Sequence, residues 1–133
     1  MKVVMTPIGV FHTDSKDIPR HWTISDVTGD LVIEEKYQSG LKDIRAGQKI
    51  IVIFLFHQSP PFDNSHLIQK PKHREKEMGV FSICSPLRPN PIGLSVLEVI
   101  DIKKNIIRVL HSDMVDGTPV LDIKPHITGN EKD

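Results

Sequence analysis

Short stretches of alternating or continuous apolar residues dominate this chain, and no long amphipathic helix separates one from the next. "KVVMTPIGVFHT" is apolar and β-branched, and reads as a strand broken or bulged at Pro7. Residues 13–28 are polar, with Pro19 and Gly29 marking a long excursion. In "DLVIEEKY", Leu31 and Ile33 fall on one face and Val32 and Glu34 on the other, the period of a half-buried strand. "QSGLKDI" suits a single helical turn, and Ala46-Gly47 a tight one. From Ile50 to Phe56 seven consecutive residues are apolar, which predicts a strand buried on both faces or one lining a dimer interface.

The second half follows the same pattern. A polar, proline-bearing loop from Ser59 to about Glu77 exceeds the usual connection and is expected to be functional or mobile. "MGVFSIC" predicts a short strand, and "GLSVLEVIDIKKNIIRVLHSDMV" a hairpin turning at Lys-Lys-Asn. "DGTPVLDIKPHI" opens with a turn at Asp116-Gly117, carries a short apolar element and stops at Pro125. The fold class that follows is all-β, a small β-barrel of mostly antiparallel strands that hides its own edges, with long loops and at most short helices. One stretch resists this pattern. "CSPLRPNPIGLS" sets Pro86, Pro89, Pro91 and Gly93 between two strands, where no ladder can run through it. Such a stiff loop is either a structural corner or a preformed wall of a binding site.

Composition narrows the class. The 133 residues are 38% hydrophobic and 26% charged, which suits one globular domain spanning residues 1–133. No run approaches the ~18 apolar residues that span a bilayer, and "MKVVMTPIGVF" lacks the long apolar core of a secretory signal. With the lone Cys84, these features predict a cytoplasmic protein with no membrane partner. Acids and bases balance at 17 each, so a polyanion would need a local basic patch or a second subunit.

Seven histidines are scattered without the spacing of a metal site, so no metal is expected. The chain has no G-x-S-x-G elbow, no base beside Cys84 and no Gly-rich phosphate loop. Positive signals are few. Lys70, Lys72, Arg74 and Lys76 give the long loop a basic excess, a solvated face or a set of phosphate contacts. Arg88 in the proline loop either braces it or forks onto a ligand carboxylate. Asp116 and Asp122 flank "GTPVL", and His57 and Gln58 end the apolar strand, where barrel sites are built. The residues alone point to a barrel with a pocket near 78–95 and 113–125.

"FHQ" at 56–58, "MGVF" at 78–81, "SPLRPNPIGLS" at 85–95 and "DMVDGTPVLDIKP" at 113–125 together resemble the TrmO/TsaA-like family. The likeness runs from "PIGVF" at 7–11 to Pro125. It implies a β-barrel methyltransferase that uses S-adenosylmethionine to methylate N6 of N6-threonylcarbamoyladenosine at position 37 of tRNA, working as a homodimer. It further implies a cofactor site near Gln58, Met78, Gly79, Ser85, Leu87, Arg88, Pro89, Asn90, Pro91, Ile92, Asp116, Thr118 and Leu121. Backbone carbonyls of the stiff loop would accept from the adenine amine, with Leu87 or Ile92 covering the base.

Methylation of an acylated nitrogen calls for a base, for which Asp116, Asp122 and His57 are candidates, Asp116 leading. Arg88 would position a carboxylate of cofactor or substrate. Lys70, Lys72, Arg74, Lys76 and, more distantly, Arg20 would meet tRNA phosphates. The longer bacterial members carry a further C-terminal domain that this chain is expected to lack. That difference leaves two alternatives in view, a non-catalytic S-adenosylmethionine- or nucleotide-binding regulatory module and a methyltransferase with another acceptor.

Overall fold

The computed structural model describes residues 1–129. Six strands close into a barrel: β1 (Gly9–His12), β2 (Thr28–Ile33), β3 (Lys49–Leu55), and, after two short strands outside it, β6 (Ile92–Lys103), β7 (Ile106–Leu110) and β8 (Thr118–Pro125). Their order around the barrel is β1-β2-β7-β6-β3-β8, and the pairs are antiparallel. The two strands outside, β4 (Ile68–Gln69) and β5 (Met78–Gly79), form a separate ribbon whose tip is the basic stretch 70–77. Among the described residues helical structure is confined to 3₁₀ segments at Trp22–Ile24, Glu35–Leu41, Asn64–Leu67 and Val80–Ser82. Among the described residues no helix is long and apolar enough to cross a membrane.

Alternation sets the core. Leu31 and Ile33 of β2, Ile50, Val52 and Phe54 of β3, Leu97 and Val99 of β6, Ile107 and Val109 of β7 and Val120 of β8 all point inward and are buried, with Phe11 and Met114 between them. Each strand rises with period two, so every second side chain must face the interior once the sheet closes. Closure needs local bending, and register shifts supply it between Val99 and Asp101 and between Ile53 and Phe54. Two glycines are fixed by the same crowding. A Cβ on Gly93 would collide with the ring of Phe54 and come within 2.8 Å of that of Phe56. At Gly9 the obstacle is the Val32 carbonyl of the neighbouring strand.

Several sequence expectations change in detail. The first strand begins at Gly9, and residues 1–5 lie exposed, because Pro7 donates nothing to a ladder. "MGVFSIC" keeps only Met78–Gly79 as strand before a 3₁₀ turn takes over. The apolar run in β3 is buried on one face only: Ile51, Ile53 and Leu55 point outward and are half-buried. Across the register they pair with Val96, Leu94 and Ile92 of β6, which also face out, so the barrel carries an apolar outer ladder. The element after Gly117 is longer than expected, an eight-residue strand running to Pro125.

Candidate functional site

At the end of the barrel where β3 and β7 finish and β6 and β8 begin, three loops surround a cavity of about 820 Å³. The excursion before β2 contributes Arg20, His21 and Trp22; the turn after β3 contributes Phe56, His57 and Gln58; the proline loop contributes Pro86, Leu87 and Arg88. Its inner wall is Phe54, Gly93, Met114 and Thr118 at the barrel mouth. The volume falls in the range of small-molecule and cofactor sites, and the lining is largely apolar with a few polar groups, as such sites are.

The proline loop is stiff for a reason beyond its prolines. Arg88 donates from Nη1 to the carbonyls of Ile83 at 3.0 Å and Ser85 at 3.1 Å. Ser59 Oγ donates to the Pro86 carbonyl at 3.1 Å, and Gln69 Nε2 to that of Leu87 at 2.7 Å. The Pro91 carbonyl accepts from Phe56 N–H, and that of Asn90 from Ile92 N–H, each at 2.7 Å. Carbonyls that lose a ladder partner must find another donor, and here side chains from other segments reach in. The expectation that these carbonyls stand open for an adenine amine is therefore narrowed to their remaining lone pairs. Arg88 braces its own loop with the nitrogen seen here.

A second corner holds the acid. β7 ends at Leu110, and His111 turns the chain with φ +80°, a left-handed conformation that costs strain in a non-glycine residue. It is pinned there: the N–H groups of His111 and Ser112 both reach the Val27 carbonyl, and His111 Nδ1 donates to the Ser25 carbonyl at 2.7 Å. The turn drives Met114 into the core and leaves Asp113 half-buried at the cavity wall. Ser95, wholly buried on the inner face of β6, donates its hydroxyl to Asp113 Oδ1. Burial pushes the Asp113 carboxyl above the ordinary value of 3.8, against the opposing pull of Ser95, backbone N–H groups and nearby His21.

Among the described residues Asp113 is the one carboxylate lining this cavity. Sequence reasoning passed over it, although it opens the "DMVDGTPVLDIKP" stretch; nothing local distinguishes it from Asp116. Trp22 and His21 were missed for a similar reason, lying in an excursion with no pattern of its own.

Of the residues singled out from sequence, His57, Gln58, Leu87, Arg88, Ile92, Thr118 and Arg20 line the cavity. Met78, Gly79, Ser85, Pro89, Asn90, Pro91, Asp116 and Leu121 are not among its lining. Gly117 takes φ +85°, and a Cβ there would stand 3.9 Å from His57 Nε2, so the turn passes close beneath that ring. Asp116, one residue earlier, points elsewhere. Its Oδ1 accepts from Thr13 N–H at 3.0 Å and lies 3.2 Å from His12 Nδ1, in a polar corner shared with Asp14, Asp30 and Arg108. The Thr13 N–H first, then His12, hold its carboxyl below the ordinary value. Asp122 pairs with Lys124 at 3.2 Å beside a separate depression at the opposite end of the barrel. Lys70, Lys72, Arg74 and Lys76 stand at the tip of the β4–β5 ribbon, anchored to the cavity wall through the Gln69–Leu87 bond.

Residues 8–131 match the family described as the tRNA-methyltransferase O N-terminal domain. The chain is 37% identical over 131 residues to a probable S-adenosyl-L-methionine-binding protein of Pyrococcus abyssi, covering 96% of this chain and 70% of the relative. It is 33% identical over 131 residues to the tRNA (adenine(37)-N6)-methyltransferase of Escherichia coli, covering 90% of this chain and 56% of that enzyme. The crystal structure of TrmO from Pseudomonas aeruginosa superposes with a TM-score of 0.77 at 26% identity, over 99% of this chain and 61% of that one. The chain thus spans a little over half the length of these methyltransferase relatives.

Proposed function

This chain belongs to the tRNA-methyltransferase O N-terminal domain family, and from that premise we propose that it is an S-adenosylmethionine-dependent methyltransferase acting on tRNA. The finer reading is methylation of N6 of N6-threonylcarbamoyladenosine at position 37, in line with the name of the Escherichia coli relative. The observation that carries the proposal is the cavity at the barrel mouth: about 820 Å³, largely apolar, walled by a loop held rigid before any ligand arrives.

S-adenosylmethionine fits this cavity by size and character. Trp22 and Phe56 offer aromatic surface to a base, and Leu87 and Ile92 apolar cover. Gln58 and His57 stand at the rim as hydrogen-bonding groups. When bound, the cofactor supplies an activated methyl group on a sulfonium. The chain then has to bind, orient and exclude water, because alignment of the reacting atoms carries most of the rate. A wall whose carbonyls already have partners loses little entropy on ligand capture.

The ribbon tip with Lys70, Lys72, Arg74 and Lys76 is suited to phosphates of an RNA loop, and Arg20 in the cavity lining to a further one. Met78, Gly79, Ser85, Pro89, Asn90, Pro91 and Leu121, outside the cavity's lining, keep their assignment as residues around the cofactor site, whereas Asp116, held in the outer polar corner, does not. A homodimer joined through the outer ladder of β3 and β6 is the arrangement we favour, since Leu55, Ile92 and Leu94 belong both to that ladder and to the cavity's lip. We assign the protein to the cytoplasm, where tRNA modification takes place.

A second reading has its own support. The Pyrococcus abyssi relative is named only for binding S-adenosylmethionine, and the balanced charge here gives tRNA no general attraction. The deciding experiment is methyl transfer from labelled S-adenosylmethionine to total tRNA with and without its threonylcarbamoyl group. Label confined to the modified tRNA is the expected result. Calorimetric cofactor binding with no label in either would establish the binding module instead.

A further inference from the structure

We infer that Asp113 is the catalytic base: its carboxylate, held by Ser95 at the cavity wall, accepts the proton that leaves the acceptor nitrogen during methyl transfer. The inference rests on the proposed reaction and assigns the role for which Asp116, Asp122 and His57 were the candidates on sequence.

Geometry removes two of the three. Asp116 is bound to Thr13 and His12 in the outer polar corner, and Asp122 faces Lys124 at the far end of the barrel. His57 does line the cavity, but it stands at the turn that leads out of it, over Gly117. Asp113 sits against the inner wall with Met114 and Thr118 beside it, and its orientation is imposed from two directions. The strained His111 corner sets its backbone, and Ser95 of β6 takes Oδ1. A carboxylate has about four lone-pair sites, so a donor on Oδ1 leaves acceptor capacity for a ligand N–H.

The chemistry needs such a group. An acylated exocyclic nitrogen shares its lone pair with the neighbouring carbonyl and ring, and attacks poorly while it keeps its hydrogen. As its new bond to carbon forms, the N–H bond breaks and its proton passes to Asp113, while the electron pair of the broken carbon–sulfur bond stays on sulfur. The Asp113 carboxyl then returns the proton to water. Burial suits the task, since a carboxylate with raised proton affinity is the stronger base. The other titratable groups of the cavity are Arg20 and His21 from the excursion, His57 after β3, and Cys84 and Arg88 in the proline loop.

Ser95 is then a positioning residue with a distinct signature. Its hydroxyl lowers the affinity of Asp113 for a proton, so Ser95→Ala raises it further.

The test combines Asp113→Asn and Ser95→Ala in the full chain, with three readouts. Single-turnover transfer to threonylcarbamoylated tRNA is followed across pH, cofactor affinity by calorimetry, and the Asp113 carboxyl by carbon-13 titration of the free protein. The expected result for Asp113→Asn is cofactor affinity within about threefold of wild type and transfer slowed by about 100-fold or more. In wild type the rate falls as pH drops through the titration seen by carbon-13, and in Ser95→Ala both move to higher pH together. Loss of cofactor affinity by more than about tenfold, with transfer at saturation nearly normal, would make Asp113 an anchor for a ligand cation and overturn the role. A kinetic limb that ignores Ser95→Ala would overturn it too. If wild type itself methylates no modified tRNA, the proposed reaction fails and the base falls with it; if wild type transfers and Asp113→Asn keeps pace, only the base fails.

Discussion

The cavity mouth and the polar corner just outside it share one short segment of chain, yet they treat the same side chain in opposite ways. Asp113 faces the mouth, where burial raises its carboxyl and one buried serine holds it. Asp116 faces the corner, where a backbone N–H and His12 lower its carboxyl while it stays exposed. The corner's other pairing, Arg108 with Asp30 across β7 and β2 at 3.1 Å, is a surface ion pair. Such pairs contribute little because water screens them and two long side chains must be ordered. The mouth is preorganised and largely apolar; the corner is polar and exposed. A carboxylate's role follows from which of the two surrounds it.

The sharpest way to break this contrast is to disturb the packing under the mouth. Gly93→Ala drives a methyl into the rings of Phe54 and Phe56, both of which line the cavity. It is expected to cost about 1–3 kcal/mol in denaturant unfolding and to weaken cofactor binding as the wall shifts. An unchanged midpoint would mean that the rings move freely and that the mouth is not rigid.

Arg88→Ala comes next. The carbonyls of Ile83 and Ser85 lose the guanidinium, and the loop must then be ordered when ligand binds. We expect about 1 kcal/mol lost in stability together with a several-fold loss of cofactor affinity. Arg88→Ala with weaker binding but full stability would make Arg88 a ligand contact rather than a brace.

The smallest effect lies in the dependence of stability on pH, where the two aspartates diverge in sign. Asp116 has a folded value below the ordinary 3.8, so its contribution is present above that value and lost as pH falls through the folded one. Asp113 has a folded value above 3.8, so its ionised form disfavours the fold at neutral pH, and that cost is relieved as pH falls through the folded value. Asp113→Asn should therefore melt slightly higher than wild type at neutral pH, with the advantage disappearing in acid. Asp116→Asn should melt no higher at neutral pH and should flatten the acid loss. Curves of the same sign for both variants would erase the distinction between mouth and corner.

Much of the barrel was legible in the chain. Alternation named the inward residues of β2, the apolar run located β3 without naming its inward face, the Lys-Lys-Asn turn closed the hairpin of β6 and β7, and the prolines announced a loop that cannot pair. The family resemblance, carried by motifs at 56–58, 78–81, 85–95 and 113–125, was legible for the same reason, since motifs are runs of neighbouring residues. These features are local: the period of a strand and the missing N–H of proline act on the residues beside them.

What only the tertiary structure decided is which polar groups meet. Ser95 looked like one more strand residue until closure put it against Asp113; Gln69 and Ser59 reach carbonyls 18 and 27 residues away in the proline loop. Trp22 came to the cavity from a segment without any pattern, and Asp116, the favoured acid on sequence, turned outward. Desolvation and hydrogen bonding sum over neighbours in space, and in a closed barrel those neighbours come from distant strands and loops. The sequence by itself therefore determined the barrel class, most of its strands and turns in outline, and the stiff loop. The closing of the barrel chose the carboxylate that faces the cavity.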